Sequence, residues 1–446
     1  MREPGNYPTE PLKCWGKAKE LRPKFYEAYI KAHERGGIRY AGSTGGPHGF
    51  MCGFGKDVYN LCGEPYGATI AWHKDFAAQC EEACEKKGIA RDLCGYLRNY
   101  WGSVILDKFI LPDGTIIDEF PKPDLSITFH LCCSHAKWYQ YACELEGDVP
   151  LFAIDISGRG NIWKGYEEHS INYLTQQLSE AIEWGEKVTG RKFNDELFIE
   201  GFNNEIESGS RWAEVCTYNQ AIPAPLDEKT MYSLYVFNAM CPQWKESADF
   251  YRELRDEVAD RVSRGIAAVA KERYRIMTDS QPPWAFLNIF RFMEREYGVV
   301  SLGSITYESG FACWDMTEDG KLVPLKTPKE LGLEIKNRED ALRIYAEYRI
   351  GGWRLFNIWC SSQMKSELLK KGVEQWKADA VIFHLNKGCE GVAIGQMENR
   401  LDLIEAGIPV TTFEGNMADS RDFDYARTLS RIETFLQSQG LGKLSP

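Results

Sequence analysis

The stretch VIFHLNKGCEGVAIGQMENRLDLIEAGIPVTTFEG, Val381 to Gly415, constrains the fold more than any other. An apolar run from Val381 to Leu385 ends in polar residues and Cys389. A helical pattern follows, and the run Pro409 to Phe413 reads as a second strand. Strand, helix and strand in that order predict a β-α-β unit with parallel strands. Cys389 then stands at the carboxyl mouth of a strand, where ligands bind in open α/β sheets. The same pattern occurs earlier. DLSITFHLCCSH gives a buried strand, Leu125 to Leu131, running into Cys132 and Cys133; AKWYQYACELEG reads as a helix and Val149 to Ser157 as the next strand. The two patterns predict two similar α/β domains.

Between them, Tyr166 to about Ile276 shows apolar residues at three- and four-residue steps mixed with charge, which predicts helices. The helix-breaking QPPW, Gln281 to Trp284, marks entry into the last domain. Beyond it, strands are expected near Phe286 and over Val299 to Thr306. The expected organisation is α/β, two Rossmann/flavodoxin-like parallel-sheet domains joined by a helical domain. Its segments are an arm over 1–20, a first α/β domain over 21–165, a helical domain over 166–280 and a second α/β domain over 281–446. A chain of 446 residues is long enough for two or three cores.

A net charge of −12 without a basic patch excludes nucleic acid and an anionic membrane surface as expected partners. The sequence contains neither a signal-like start nor an apolar run of membrane-spanning length, so a cytoplasmic protein is expected. The 14 cysteines are then expected as thiols or metal ligands rather than disulfides. They are scattered, without the close local sets of a zinc ribbon or ferredoxin. GSTGGPHGF, Gly42 to Phe50, is glycine-rich but lacks the GxxxxGK[ST] and GxGxxG spacings, which argues against a nucleotide loop.

Cys80 and Cys84, four apart on a helix, and Cys216 and Cys241 in the helical segment read as packed small residues. Cys94 precedes GYLRNYWG, a helix start whose dipole favours a thiolate. Cys94, Cys132 or Cys133, and Cys389 could therefore meet between two domains and hold iron–sulfur or zinc with one metal position open. Unrelated buried thiols fit the spacing equally well.

RDLCGYLRNYWG, HLCCSHAKW and FHLNKGCEGVAIGQ resemble the three cysteine blocks of the 2-hydroxyacyl-CoA dehydratase and benzoyl-CoA reductase family of iron–sulfur subunits. The resemblance runs from about Tyr66 to Phe435. ERYRIMTDSQPPW and NIWCSSQMKSELL, around Cys360, resemble the larger cluster-binding subunit of the ATP-dependent benzoyl-CoA reductases. The resemblance implies a [4Fe-4S] cluster held by Cys94, Cys132 and Cys389. Cys133 departs from the family pattern, leaving the choice within the pair open and, with Cys360, room for a larger bridged cluster. Further implications are a homologous second cluster-binding subunit, ATP-hydrolysing electron-activator subunits fed by ferredoxin, and an acyl-CoA substrate. ATP would bind only a partner. The implied reaction is reductive dearomatisation of benzoyl-CoA; radical elimination of water from a 2-hydroxyacyl-CoA and a pure electron-transfer or scaffold role are the alternatives. Candidate proton donors or orienting groups are His130, His135, His384 and Glu390. Lys137 and Arg98 could meet CoA phosphates or cluster charge, but read better as solvated surface cations.

Overall fold

The computed structural model describes residues 3, 5–156, 167–304, 309–352 and 361–445. Twelve strands are present among them: β1 Ile38–Gly42, β2 Val58–Cys62, β3 Lys108–Ile110, β4 Ile116–Asp118, β5 Leu125–His130, β6 Leu151–Asp155, β7 Tyr274–Asp279, β8 Val299–Ser304, β9 Trp314–Met316, β10 Leu322–Pro324, β11 Ala380–Asn386 and β12 Val410–Gly415. Two small antiparallel ribbons, β3 with β4 and β9 with β10, accompany two four-stranded sheets. The first sheet runs β2-β1-β5-β6 and the second β8-β7-β11-β12, with every pair parallel. Numbered within its own half, each sheet has the order 2-1-3-4. That is a doubly wound α/β arrangement, and its switch point lies between the first and third strands.

Continuous apolar sequence explains the central strands. β5 is buried over Leu125–Phe129 and β11 over Ala380–His384, as expected where helices cover both faces of a parallel sheet. The long helices Asp195–Tyr218 and Lys245–Arg264 pack on each other beside the sheets. Asn194 caps the first by accepting from the Leu197 N–H, and Gly265, at φ 67°, ends the second in the left-handed region.

The structure departs from the expected segmentation at several points. The helix Trp15–Ile30 begins inside the stretch expected as an arm. The segment expected to be helical through residue 280 ends in β7, a central strand of the second sheet. Arg275 hides that strand in the sequence: its charge interrupts the apolar run, yet it is fully buried and paired with Glu272 at 2.6 Å. Trp284–Phe286 forms a 3-10 turn instead of a strand, consistent with the two prolines before it. None of the thirteen described cysteines is in a disulfide. No helix among the described residues is long and apolar enough to cross a membrane.

The two halves are latched by a buried ion pair. Arg98, on the helix Gly95–Ile105, donates to Asp419 in the loop after β12 at 3.2 Å, with both side chains fully buried. This corrects the expectation of a solvated Arg98. Burial pushes the Asp419 carboxyl up, but hydrogen bonds from Arg421 and Glu81 outweigh it and hold Asp419 well below the usual carboxylate range. Glu81 is the opposite case. Burial, followed by the adjacent Asp419 charge, raises it to about 9, so near neutrality it is protonated and donates to Asp419. Its Oε1 has no other partner.

Removing Asp419 leaves the buried Arg98 charge only the longer contact to Glu85 at 3.7 Å, and Asp419→Ala should destabilise the fold by about 3–5 kcal/mol in urea unfolding. Glu81 carries the reverse pH dependence to that of a salt-bridged acid. Its folded pKa lies above its unfolded one, so its stabilisation is complete below about 4.5 and is lost as pH rises toward 9. Glu81→Gln keeps a donor and removes the titration. The wild type should therefore lose stability relative to this variant between pH 6 and 8.5, at up to about 1.4 kcal/mol per pH unit.

Candidate functional site

Each sheet presents two loops at its switch point. In the first half Ser43 and Thr44 follow β1, while Leu131 and Cys132 follow β5. In the second, Ser280 and Gln281 follow β7, and Lys387 to Cys389 follow β11. These loops face one another around a narrow cavity of about 50 Å³ whose lining includes Thr44, Glu64, Cys94, Cys132, His135, Gln281 and Cys389. Its apolar walls are Tyr96, Leu131, Trp138, Phe311, Val392 and Met417. A roomier cavity of about 500 Å³ lies along β2 and the helix Asp195–Tyr218 and includes only Cys52 among the thiols.

The three thiols expected to act together thus line one cavity. Cys94 stands immediately before the helix Gly95–Ile105, which lies against the helix Lys74–Lys86 so closely that a Cβ at Gly102 would meet the Cys80 backbone. Burial pushes the Cys94 thiol up to about 12, with Cys389 adding to the shift; the N–H groups of Leu97 and Tyr96 oppose it without forming a capping hydrogen bond. Cys389 precedes the short helix Glu390–Ala393. Burial also raises it to about 12, Cys132 and Cys133 add to that, and the Val392 N–H and Gln281 amide pull it down. Cys132 and Cys133 separate clearly: Cys132 is half-buried and lines the cavity, whereas Cys133 is exposed and donates its S–H toward Cys132. Cys360 lies outside the described residues.

Buried polar contacts fix the Cys389 loop. Lys365 is fully buried, pairs with Asp279 at the end of β7 at 2.8 Å and donates to the Val392 carbonyl at 2.5 Å. Gln396 donates to Asp279 and to the His384 carbonyl, each at 3.1 Å. Gly388 adopts φ 81°, and a Cβ there would stand 2.7 Å from the Leu93 carbonyl, next to Cys94. This close approach brings the Cys94 and Cys389 loops together.

The candidate proton donors fall in different places. His135 is buried in the cavity wall, its Nε2 bonded to Glu64 and its Nδ1 without a partner among the described residues. Glu64 Oε2 accepts from the Thr44 N–H at 2.9 Å and from the Tyr139 hydroxyl at 3.5 Å. His130 is partly exposed beside Asp155 at 3.4 Å, and Glu390 is exposed. His384 is buried, donates from Nδ1 to the Gln281 carbonyl at 2.7 Å, and is pushed down to about 4 by burial, so it is neutral. It positions the Gln281 loop. Lys137 is exposed, as expected. Glu64, Tyr96 and Gln281 are site residues that motif reading missed. Their one signal in the sequence is position, close after β2, Cys94 and β7 respectively.

Among the described residues no three His, Cys, Asp or Glu side chains crowd one point closely enough to hold a single metal ion. Glu64 is the one carboxylate among the residues that line the cavity with the three thiols.

The family model for the 2-hydroxyglutaryl-CoA dehydratase D-component matches residues 65–438, which include both sheets' thiol loops. The chain belongs to this family. A 394-residue match at 27% identity, covering 85% of both chains, is to the (R)-2-hydroxyisocaproyl-CoA dehydratase alpha subunit of Clostridioides difficile. The (R)-phenyllactyl-CoA dehydratase alpha subunit of Clostridium sporogenes is 25% identical over 83% of this chain and 82% of its own. A benzoyl-CoA reductase subunit of Thauera aromatica is 24% identical over 79% of this chain and 78% of its own. These family relatives are subunits of enzymes.

Gly388→Ala should cost about 1–3 kcal/mol in thermal or urea unfolding, and it should speed alkylation of Cys94 by prising the two thiol loops apart. Gly407→Ala is the control. At φ 77° it carries similar backbone strain, but its Cβ would meet nothing within 4 Å, so it should leave Cys94 protected.

Proposed function

We propose that this chain is the cluster-bearing subunit of an ATP-coupled acyl-CoA enzyme, holding a [4Fe-4S] cluster through Cys94, Cys132 and Cys389. The observation that carries this reading is the meeting of three cysteines, from two sheets and one helix start, around one cavity. Cys133, exposed beside them, is the reserve thiol for a larger bridged cluster. The cluster, when bound, supplies single electrons at low potential.

The chain's own residues do the rest. Leu131, Trp138, Phe311, Val392 and Met417 exclude water from the cavity, which limits loss of electrons to solvent protons. Glu64 holds His135 through Nε2 and leaves Nδ1 without a partner among the described residues, so His135 is the residue that holds or moves a proton here. Gln281 joins the two halves at the site, accepting from the Tyr96 hydroxyl at 3.2 Å while its amide meets the Cys389 thiol. Partner subunits supply the rest of the assembly: a homologous second cluster-binding chain and an ATP-hydrolysing activator that receives electrons from ferredoxin.

The reaction we infer is reductive dearomatisation of benzoyl-CoA or a close aryl-CoA. The aromatic walls Tyr96, Trp138 and Phe311 and the likeness to the Thauera benzoyl-CoA reductase chain support it. A second reading, elimination of water from a 2-hydroxyacyl-CoA, is favoured by the family model and the dehydratase relatives. Assay of the assembled complex separates them. Dienoyl-CoA formation with ATP consumed in step supports the first, and enoyl-CoA formation with catalytic ATP supports the second.

After anaerobic purification, Cys94→Ser, Cys132→Ser and Cys389→Ser should each lose most of the iron, sulfide and EPR signal, while Cys216→Ser and Cys133→Ser should keep the four-iron complement. Equal iron in all five variants, or zinc in its place, would overturn the ligand assignment.

A further inference from the structure

A third cavity, of about 170 Å³, has a wall residue hydrogen-bonded to one in the wall of the thiol cavity. It lies between the helices Trp15–Ile30 and Gly63–Trp72 on one side and Glu228–Leu234 and Val236–Met240 on the other. Trp284 forms one wall and donates from Nε1 to the Tyr96 hydroxyl at 2.5 Å; Tyr96 lines the thiol cavity. One hydrogen-bonded pair of rings therefore links the walls of the two cavities.

The chemistry of this cavity is unusual for the chain. The net charge is −12, yet no Asp or Glu is among the residues that line it, and Arg22 and His73 are. Arg22 makes one hydrogen bond, to the Ser233 carbonyl at 3.3 Å, and no ion pair among the described residues. Burial lowers its pKa, and only Tyr26 and Tyr235 oppose the shift. A partly desolvated guanidinium without a counter-charge is costly, and an anion seated against it recovers that cost. The aromatic part is also in place. Trp72 is 52% exposed, its ring 6.1 Å from that of Trp284, and Trp284 lies 5.6 Å from Tyr232. An exposed indole and a guanidinium without an ion pair among the described residues, lining one cavity, suit a ligand that carries both a flat ring and phosphate.

We propose that this cavity receives the adenosine-phosphate arm of the acyl-CoA thioester, with a phosphate on Arg22 and the purine against Trp72. The inference rests on the acyl-CoA reading above and adds to it the direction from which the thioester approaches the thiols, past Trp284 and Tyr96. A free adenine nucleotide shares this chemistry, and the probes distinguish the two sources.

The test uses the complete assembly, anaerobically purified, with binding of coenzyme A, pantetheine and ADP followed by calorimetry and by tryptophan fluorescence. Coenzyme A should bind and pantetheine, which lacks phosphate, should not. Arg22→Gln should weaken coenzyme A about tenfold or more, and Arg22→Lys should recover part of that loss. Trp72→Ala, a change at an exposed position, should also weaken it. All three variants should keep wild-type iron content and melting temperature. Unchanged coenzyme A affinity in Arg22→Gln and Trp72→Ala would overturn the proposal, as would ADP binding that Arg22→Gln weakens and coenzyme A fails to displace. If coenzyme A binds with the expected dependence on Arg22 while wild-type protein carries no iron, the cluster reading fails and the cavity assignment stands. If iron and turnover are normal while coenzyme A ignores Arg22, the cavity assignment alone falls.

Discussion

The buried contact between Arg98 and Asp419 makes one site out of two sheets. Each sheet is complete by itself, with its own helices and its own switch point, and nothing in the order 2-1-3-4 requires the two mouths to face each other. The guanidinium comes from the helix that Cys94 starts, and the carboxylate from the loop that follows β12, the strand paired with the one that ends toward Cys389. Asp419 serves several groups at once. Arg421 donates to it, Glu81 donates to it when protonated, and Arg91 reaches it from the surface at 3.8 Å. A buried pair adds little net stability over a well-packed apolar contact, but it tolerates few alternative geometries. Here that specificity fixes how the two halves meet.

The apposition is reinforced by backbone packing that excludes side chains. Gly388 approaches the Leu93 carbonyl, and a Cβ on Gly95 would stand 2.6 Å from the Asn416 side chain and 2.9 Å from Ala418. Both glycines flank proposed ligands by one residue. The loops can therefore come close at the thiols, where side chains must converge. Lys365, drawn fully into the second half, gives the same rigidity from beneath by joining the end of β7 to the turn after Cys389.

Much of this was legible in the sequence because the carrying elements are apolar runs that punctuation ends abruptly. β5 and β11 are such runs, and each points to its cysteine; Cys94 announced itself by preceding a helix. What stayed hidden depended on partners far away in the chain. Arg98 reads as a surface cation because the carboxylate that permits its burial is 321 residues distant. β7 reads as the end of a helix because Arg275 carries a charge that Glu272 and the carbonyls of Asn219 and Trp376 absorb only in the fold. Cys132 and Cys133 are adjacent and chemically alike, so only the three-dimensional path of the chain after β5 could tell the cavity-lining thiol from the exposed one.

The repeated topology also accounts for the asymmetry of the site. In each half the loop after the third strand supplies a thiol, Cys132 in one and Cys389 in the other, so duplication alone accounts for two cysteines. The loops after the first strands supply Thr44 and Gln281, which bring hydrogen-bonding groups and no thiol. Cys94 belongs to neither repeated position. It comes from an additional helix of the first half, and its place in the cavity depends on the ion pair and on the glycine contacts that bind that helix to the second half. Two thiols thus follow from the sheets and the third from their docking. A duplicated pair of sheets would give a symmetric two-thiol cleft, and the docked helix turns it into a three-thiol cavity with one side left for Tyr96, Gln281 and whatever approaches past them.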